Sequence, residues 1–144
     1  MSFSSSTKEE LIKQRFKSRE ERLSAFCALT HAAGSITIGG GRVGVRYALE
    51  NYSVGKLIGQ LAMGLEREVH ASLAVSESDR LRARNTVVRL SGSGCITLLS
   101  EAGFLSIRDG SLSMDGEIPA ALVANEEGTR AFLRGAFLGA GSVN

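Results

Sequence analysis

The 144-residue sequence predicts an α+β fold, a single antiparallel sheet with helices packed on one face. Three observations predict it. Helical and alternating periodicities follow one another in the order α-α-β-β-α-β-β-α, and a further helix then begins. Two alternating segments flank the triplet Gly39-Gly40-Gly41, the pattern of a hairpin. Finally, the segment Ala25-Phe-Cys-Ala-Leu-Thr-His-Ala-Ala-Gly-Ser-Ile36 has an echo in Phe132-Leu-Arg-Gly-Ala-Phe-Leu-Gly-Ala-Gly-Ser-Val143. Superposing Gly34 on Gly141 places Ser35 on Ser142, Ala33 on Ala140 and Ala28 on Gly135. Each copy is a small-residue-rich helix that stops at glycine and leads into a β-branched residue, a design for two helices in close contact.

The elements follow in order. Ser4-Ser-Ser-Thr-Lys-Glu-Glu supplies Ser6 and Thr7 as cap candidates with Glu9 and Glu10 behind them, so a first helix is expected over about Lys8 to Phe16. Ser18 opens a second helix that ends at Gly34. Ser35-Ile-Thr-Ile38 and Arg42-Val-Gly-Val-Arg-Tyr-Ala48 alternate as paired strands. Val54, Leu57, Ile58, Leu61, Ala62 and Leu65 keep a helical period after Asn51, with Ser53 as a possible cap. Glu68 to Ser76 is the third strand, Ser76 to Arg82 a polar connector, and Asn85 to Leu90 the fourth strand. A helix over about Cys95 to Ala102 stops at Gly103. Residues 106–117, rich in Ser, Gly and Asp, read as an irregular linker. Pro119 opens a short helix through Val123, and Glu126 to Ala140 forms the closing helix.

Composition narrows the class. Hydrophobic content of 43% and charged content of 22% suit a globular chain with a core of useful size. No apolar run approaches the roughly 18 residues of a membrane span. The N-terminus lacks a charged-then-apolar leader, so a cytoplasmic location is expected and no membrane partner. Cys27 and Cys95 are too few for a zinc site or a disulfide framework, and Cys27 reads as a small buried hydrophobe. The net charge of +2 hides an asymmetry: residues 1–99 sum to +5 and residues 100–144 to −3. Arg80, Arg82, Arg84 and Arg89 form a local cluster without an acid after Arg80, which permits nucleic-acid contact without demanding it.

The repeated segments carry a family resemblance. Leu133-Arg-Gly-Ala-Phe-Leu-Gly-Ala-Gly141 is similar to the nine-residue LAGLIDADG signature, and Phe26-Cys-Ala-Leu-Thr-His-Ala-Ala-Gly34 resembles a more degraded copy. Met1-Ser-Phe-Ser-Ser with Thr7-Lys-Glu-Glu-Leu11, Leu29–Ser35 and Arg130–Val143 resemble the corresponding parts of WhiA proteins. The resemblance covers essentially the whole chain and is most specific at its two ends. It implies a LAGLIDADG homing-endonuclease-like αββαββα unit. It also implies a bacterial transcription regulator of sporulation, cell division and chromosome segregation, nucleoid-associated, with a C-terminal helix-turn-helix. The expected division is residues 1–17 as a helical extension, 18–124 as a first unit with its linker, and 125–144 as the start of a second, unfinished unit. On this reading the chain is an N-terminal piece of a longer protein.

The resemblance also bears on chemistry. LAGLIDADG nucleases hold divalent metal with the acid before the last glycine of each signature. The matching residues are Ala33 and Ala140, and the sixth position holds His31 and Leu138. With no carboxylate in either copy, no catalytic residue, metal or cofactor is expected, and the chain is read as not an enzyme. A lone histidine, His31 or His70, is more often an interface residue than a ligand. Gly39-Gly-Gly41 and Ser91-Gly-Ser-Gly94 lack the Gly-Lys-Ser/Thr ending of a phosphate loop and read as turns.

Related nucleases use the open face of the sheet as a DNA saddle. Alternation sets Val43, Val45 and Tyr47 on one face and Arg42, Gly44 and Arg46 on the other, with Ile36 and Ile38 against Ser35 and Thr37. Arg42, Arg46, Arg80, Arg82, Arg84 and Arg89 are therefore the candidate contacts with double-stranded DNA, their planar forks suited to phosphate and guanine. Half a saddle offers half the phosphate contacts, so the expected binding is weak. Ala28, Ala32, Gly34, Gly135, Gly139 and Gly141 are the expected interface of the helix pair. The resulting expectation is a non-catalytic DNA-binding or scaffold domain. Its alternative is a self-association or protein-interaction module, with a second copy or other transcription regulators as partners, and DNA recognition confined to the absent C-terminal region.

Overall fold

In the computed structural model, residues 3–13, 15–78 and 83–140 are described. Helix α1 spans Phe3–Lys13, earlier than expected at both ends, so Ser6 and Thr7 lie inside the helix instead of capping it. Tertiary packing sets these limits: α1 lies against later helices, and Leu11 and Ile12 pack on the core. Helix α2, Arg19–Ala33, starts at Ser18, whose hydroxyl accepts from the Glu21 amide at 3.1 Å. Glu20 and Glu21 in its first turn complement the positive end of the helix dipole. Gly34 then carries the chain directly into strand β1, Gly34–Gly39.

Strand β2, Arg42–Leu49, returns antiparallel with Ile36 opposite Val45 and Gly39 opposite Arg42. Gly40 and Gly41 form the connecting turn with φ of 58° and 74°, the left-handed pair that a two-residue hairpin turn demands. Helix α3, Tyr52–Leu65, buries Val54, Leu57, Ile58, Leu61, Ala62 and Leu65 along one stripe. Its cap is Asn51, whose side chain accepts from the Val54 amide at 3.1 Å; Ser53 falls within the first turn.

Strands β3, His70–Ser78, and β4, Ala83–Ser91, complete a four-stranded sheet of order β1-β2-β4-β3. Ser76 to Ser78, expected in a connector, belong to β3, and Arg84 belongs to β4, where it pairs with Glu77. The ladder supplies the reason: continuous pairing from His70–Ser91 to Ser78–Ala83 satisfies backbone groups that a polar loop would leave to solvent.

Helix α4, Gly94–Glu101, follows the sheet. Residues 106–117 are not an irregular linker throughout, because β5, Leu105–Arg108, and β6, Ser111–Met114, pair as a hairpin. Asp109 and Gly110 adopt φ of 51° and 79°, so the Asp-Gly dipeptide that resembled loop composition is the turn itself. A short 3-10 turn, Ala120–Val123, follows Pro119, and α5, Glu126–Gly139, closes the described chain with Asn125 as its cap.

The core lies between the sheet and the helices. Phe26, Leu29, Tyr47, Val54, Ile58, Val88, Leu98 and Leu99 are all but inaccessible to solvent. Tyr47 keeps its polar tip satisfied there: Thr30 Oγ1 donates to the Phe26 carbonyl at 2.8 Å and stands 2.7 Å from the Tyr47 hydroxyl. Ser24 donates to the Leu122 carbonyl at 2.7 Å, fixing the 3-10 turn on α2.

Candidate nucleic-acid interface

The period of the strands separates two faces. Val43, Val45 and Tyr47 of β2 and Thr86, Val88 and Leu90 of β4 are buried beneath the helices, while Arg42, Arg46, Ala48, Asn85 and Arg89 are exposed opposite them. The register then assembles a complete row across the open face. Ser35 stands opposite Arg46, Arg46 opposite Arg89, and Arg89 opposite Ser72. Two guanidinium-bearing residues thus occupy the two central strands, with a hydroxyl on either flank.

The surroundings of this row are small or polar. Ala48, Val87 and Ala74 form the neighbouring row on one side; Thr37 pairs with Gly44, and Ser91 with His70, on the other. No carboxylate occupies an open-face position among the described residues of the four strands. Arg42, Arg46 and Arg89 form no ion pair or hydrogen bond there. Directly opposed like charges on adjacent strands are unfavourable by roughly 0.2–1 kcal/mol. The face is therefore electrostatically incomplete and suited to an anion.

The sequence-derived candidates do not all meet on it. Arg42, Arg46 and Arg89 share the open face. Arg84 sits at the parity of Thr86, Val88 and Leu90, the helix-covered side, so its register position is not on the Arg46–Arg89 side. Arg80 and Arg82 lie outside the described residues, as does Gly141. Sequence periodicity alone did not bring Ser72 and Ser91 to this site. Ser72 alternates visibly with Ala71 and Leu73, but its position beside Arg89 depends on β4 being inserted between β2 and β3.

The helix pair is built on close backbone approach. A side-chain carbon on Gly135 would collide with the Ala25 carbonyl and come 3.0 Å from its Cα; one on Gly139 would come 2.9 Å from Ala32 Cβ. Ala25 meeting Gly135 and Ala32 meeting Gly139 make α2 and α5 run in the same direction. Ala28 is buried. At Gly34 a side-chain carbon would meet Thr30 and Tyr47, so its smallness serves the helix-to-strand junction.

At the end of the pair, α2 finishes at Ala33 and α5 is capped by Ala140. These methyl groups offer no oxygen ligand to a divalent metal, and no cluster of three His, Cys, Asp or Glu occurs among the described residues. The residues present do not fit the metal centre of a LAGLIDADG nuclease. The exposed His31 instead packs against Phe104, with ring centroids 4.5 Å apart and planes tilted by 41°. Lys8 is nearly covered and lines a cavity of about 330 Å³ with Glu50, Asn51 and the end of α5; burial lowers its pKa, and Glu50 partly opposes that shift. Arg134 donates to the Leu11 carbonyl and lies 4.1 Å over the Phe16 ring, tying α5 to the N-terminal segment.

No protein-family profile matches the chain. Curated proteins do. The probable cell division protein WhiA of Clostridium beijerinckii is 33% identical over 146 residues, covering all of this chain and 46% of that protein. The protein of the same name from Clostridium perfringens is 32% identical with the same coverage. The chain thus spans about half the length of the curated relatives it matches. Among solved structures, full-length DUF199/WhiA from Thermatoga maritima superposes with a TM-score of 0.64 at 21% identity, covering 96% of this chain and 39% of that one. The N-terminal LAGLIDADG domain of DUF199/WhiA gives 0.62 at 22%, covering 96% and 58%. The fold is that of the LAGLIDADG domain. No helix among the described residues is long and apolar enough to cross a membrane.

Proposed function

Because the chain belongs to the WhiA family, matched over its whole length by relatives named probable cell division proteins, we propose that it is a non-cleaving DNA-contacting domain of a transcription regulator. The regulator acts in cell division, with sporulation and chromosome segregation as further settings, and works on the nucleoid. The observation that carries this reading is Arg46 facing Arg89 in a hydroxyl-flanked row, both unpaired and on a face without an acid among the described residues. Phosphates placed over that row relieve the repulsion and gain charge-assisted hydrogen bonds. The contact is to backbone, so it positions the protein without selecting a sequence. Arg80, Arg82 and Arg84 are proposed as further phosphate contacts, separate from the Arg46–Arg89 row.

Double-stranded DNA is held and not cut, since Ala33 and Ala140 provide nothing to bind the metal that the related nucleases use. Fluorescence anisotropy with a labelled duplex tests both parts. The full chain binds weakly at low salt, Arg46→Ala with Arg89→Ala loses about tenfold or more in affinity, and Mg²⁺ leaves the duplex intact. Mg²⁺-dependent nicking would contradict the second part.

A second reading rests on a separate observation. Superposing the repeats sets Leu133 on Phe26, yet Phe26 is wholly buried on the sheet whereas Leu133 is 62% exposed. The face of α5 equivalent to the sheet-facing side of α2 is thus uncovered at this residue and is suited to self-association or another regulator. Sedimentation velocity of the chain and of Leu133→Asp tests it: a dimer that the substitution dissolves supports this module.

A further inference from the structure

The floor of the open face between the three arginines is Gly44. Pairing of β2 with β4 stops at Val45 opposite Leu90, while pairing with β1 continues through Thr37 opposite Gly44. A side-chain carbon on Gly44 would come 2.9 Å from the Leu90 carbonyl and 3.2 Å from Thr37 Oγ1. The close approach of the Leu90 carbonyl and the Thr37 hydroxyl therefore requires glycine here, and leaves this part of the face without a side chain. The space above is a cavity of about 440 Å³, with Thr37, Arg42, Arg46, Arg89 and Ser91 as the polar side chains on its wall.

The polar side chains of that wall are three arginines and two hydroxyl residues, beside Ile38, Val43, Val45 and Leu90. Among the described residues it has no carboxylate. The three arginines spend none of their donors on other residues of the described structure. Guanidinium offers its hydrogens in a rigid fork that matches adjacent oxygens of one phosphorus centre, and the hydroxyls supply shorter-range donors to the remaining oxygens. The geometry points to a socket for a single phosphate group, floored by Gly44 and walled by Thr37, Arg42, Arg46, Arg89 and Ser91.

This deepens the DNA-contact reading and takes its setting from it, but its chemistry stands apart: the group bound is one phosphate, whether a phosphodiester of duplex DNA or the phosphate of a small ester. Thr37, Gly44 and Ser91 become binding residues alongside the arginines. The socket recognises no base, so affinity through it is indifferent to sequence.

The test is a titration of the ¹⁵N-labelled full chain with inorganic phosphate, adenosine monophosphate and a short duplex, each against chloride at matched ionic strength. The expected result is saturable shifts at the amides of Thr37, Gly44 and Ser91 with phosphate. Arg46→Gln with Arg89→Gln weakens that binding about tenfold or more, and Thr37→Val weakens it without loss of the folded spectrum. Shifts with phosphate and duplex support both readings. Shifts with phosphate or adenosine monophosphate but not duplex support the socket and sink the DNA reading. Shifts with duplex alone, or equal shifts with chloride, overturn the socket.

Discussion

Arg46 and Arg89 stand directly opposite each other on the two central strands of the sheet, and no carboxylate shares their face among the described residues. A pair of this kind burdens the folded state and favours an anionic ligand, so stability and binding respond to its removal with opposite signs. Arg89→Glu converts the pair into a cross-strand attraction. It is expected to raise stability by about 0.2–1 kcal/mol in chemical denaturation, while duplex affinity falls at least as far as in Arg89→Ala. A loss of both together would assign Arg89 a structural role instead.

The two glycine environments give a contrast in stability. Gly135→Val forces a side chain into the backbone of Ala25 and is expected to cost about 1–3 kcal/mol or more by overpacking. Gly64 lies within α3 with open space around its Cα. Gly64→Ala is therefore expected to stabilise by roughly 0.5–1 kcal/mol through helix propensity. Urea denaturation of both variants checks the pair; equal tolerance at both sites would contradict the close approach of α2 and α5.

Alkaline stability follows from Cys27. The thiol is fully covered on α2, donates to the Ala102 carbonyl at 3.3 Å, and burial pushes its pKa from the ordinary 9.0 up to about 11. The folded chain then holds a proton that the unfolded chain releases, so this contribution is complete below pH 9 and disappears as pH rises toward about 11. Its full size is on the order of 3 kcal/mol. Burial also raises the pKa of Cys95 and Tyr47, with the same sign. Denaturation midpoints followed across that window are expected to fall less steeply for Cys27→Ala than for the wild type. Parallel curves would exclude the thiol as the source.

Legibility in the sequence varied with the range of the interaction that decides each feature. The unit from Ser18 to Leu49 was readable because its signals are local: a capping serine, a helix ending at Gly34, and alternation on both sides of Gly39–Gly41. The β5–β6 hairpin was hidden because Ser, Gly and Asp populate loops and turns alike. Asp109-Gly110 is a two-residue turn once Leu105 and Met114 are paired. Gly34 matched Gly141 in the repeat, yet its contacts with Thr30 and Tyr47 depend on β2 passing beneath the end of α2.

The candidate site shows the same division. Alternation was enough to set Arg42 and Arg46 opposite Val43 and Val45, since burial of one strand face is a local pattern. The side of Arg84 was not readable, because it depends on where β4 begins and on its register with Glu77. Likewise the meeting of Arg46 with Arg89 is a property of strand order: residues 43 positions apart become neighbours only when β4 enters between β2 and β3.

The central claim is that the open face meets phosphate through Arg46 and Arg89, and the salt dependence of duplex binding tests it most directly. Affinity of the full chain is measured over a range of salt concentrations beside Arg46→Ala, Arg89→Ala and the double variant. The account predicts a logarithmic slope that grows shallower by about 0.9 for each arginine removed. No binding at low salt, or a slope that the double variant leaves unchanged, would contradict it and move DNA contact away from this face.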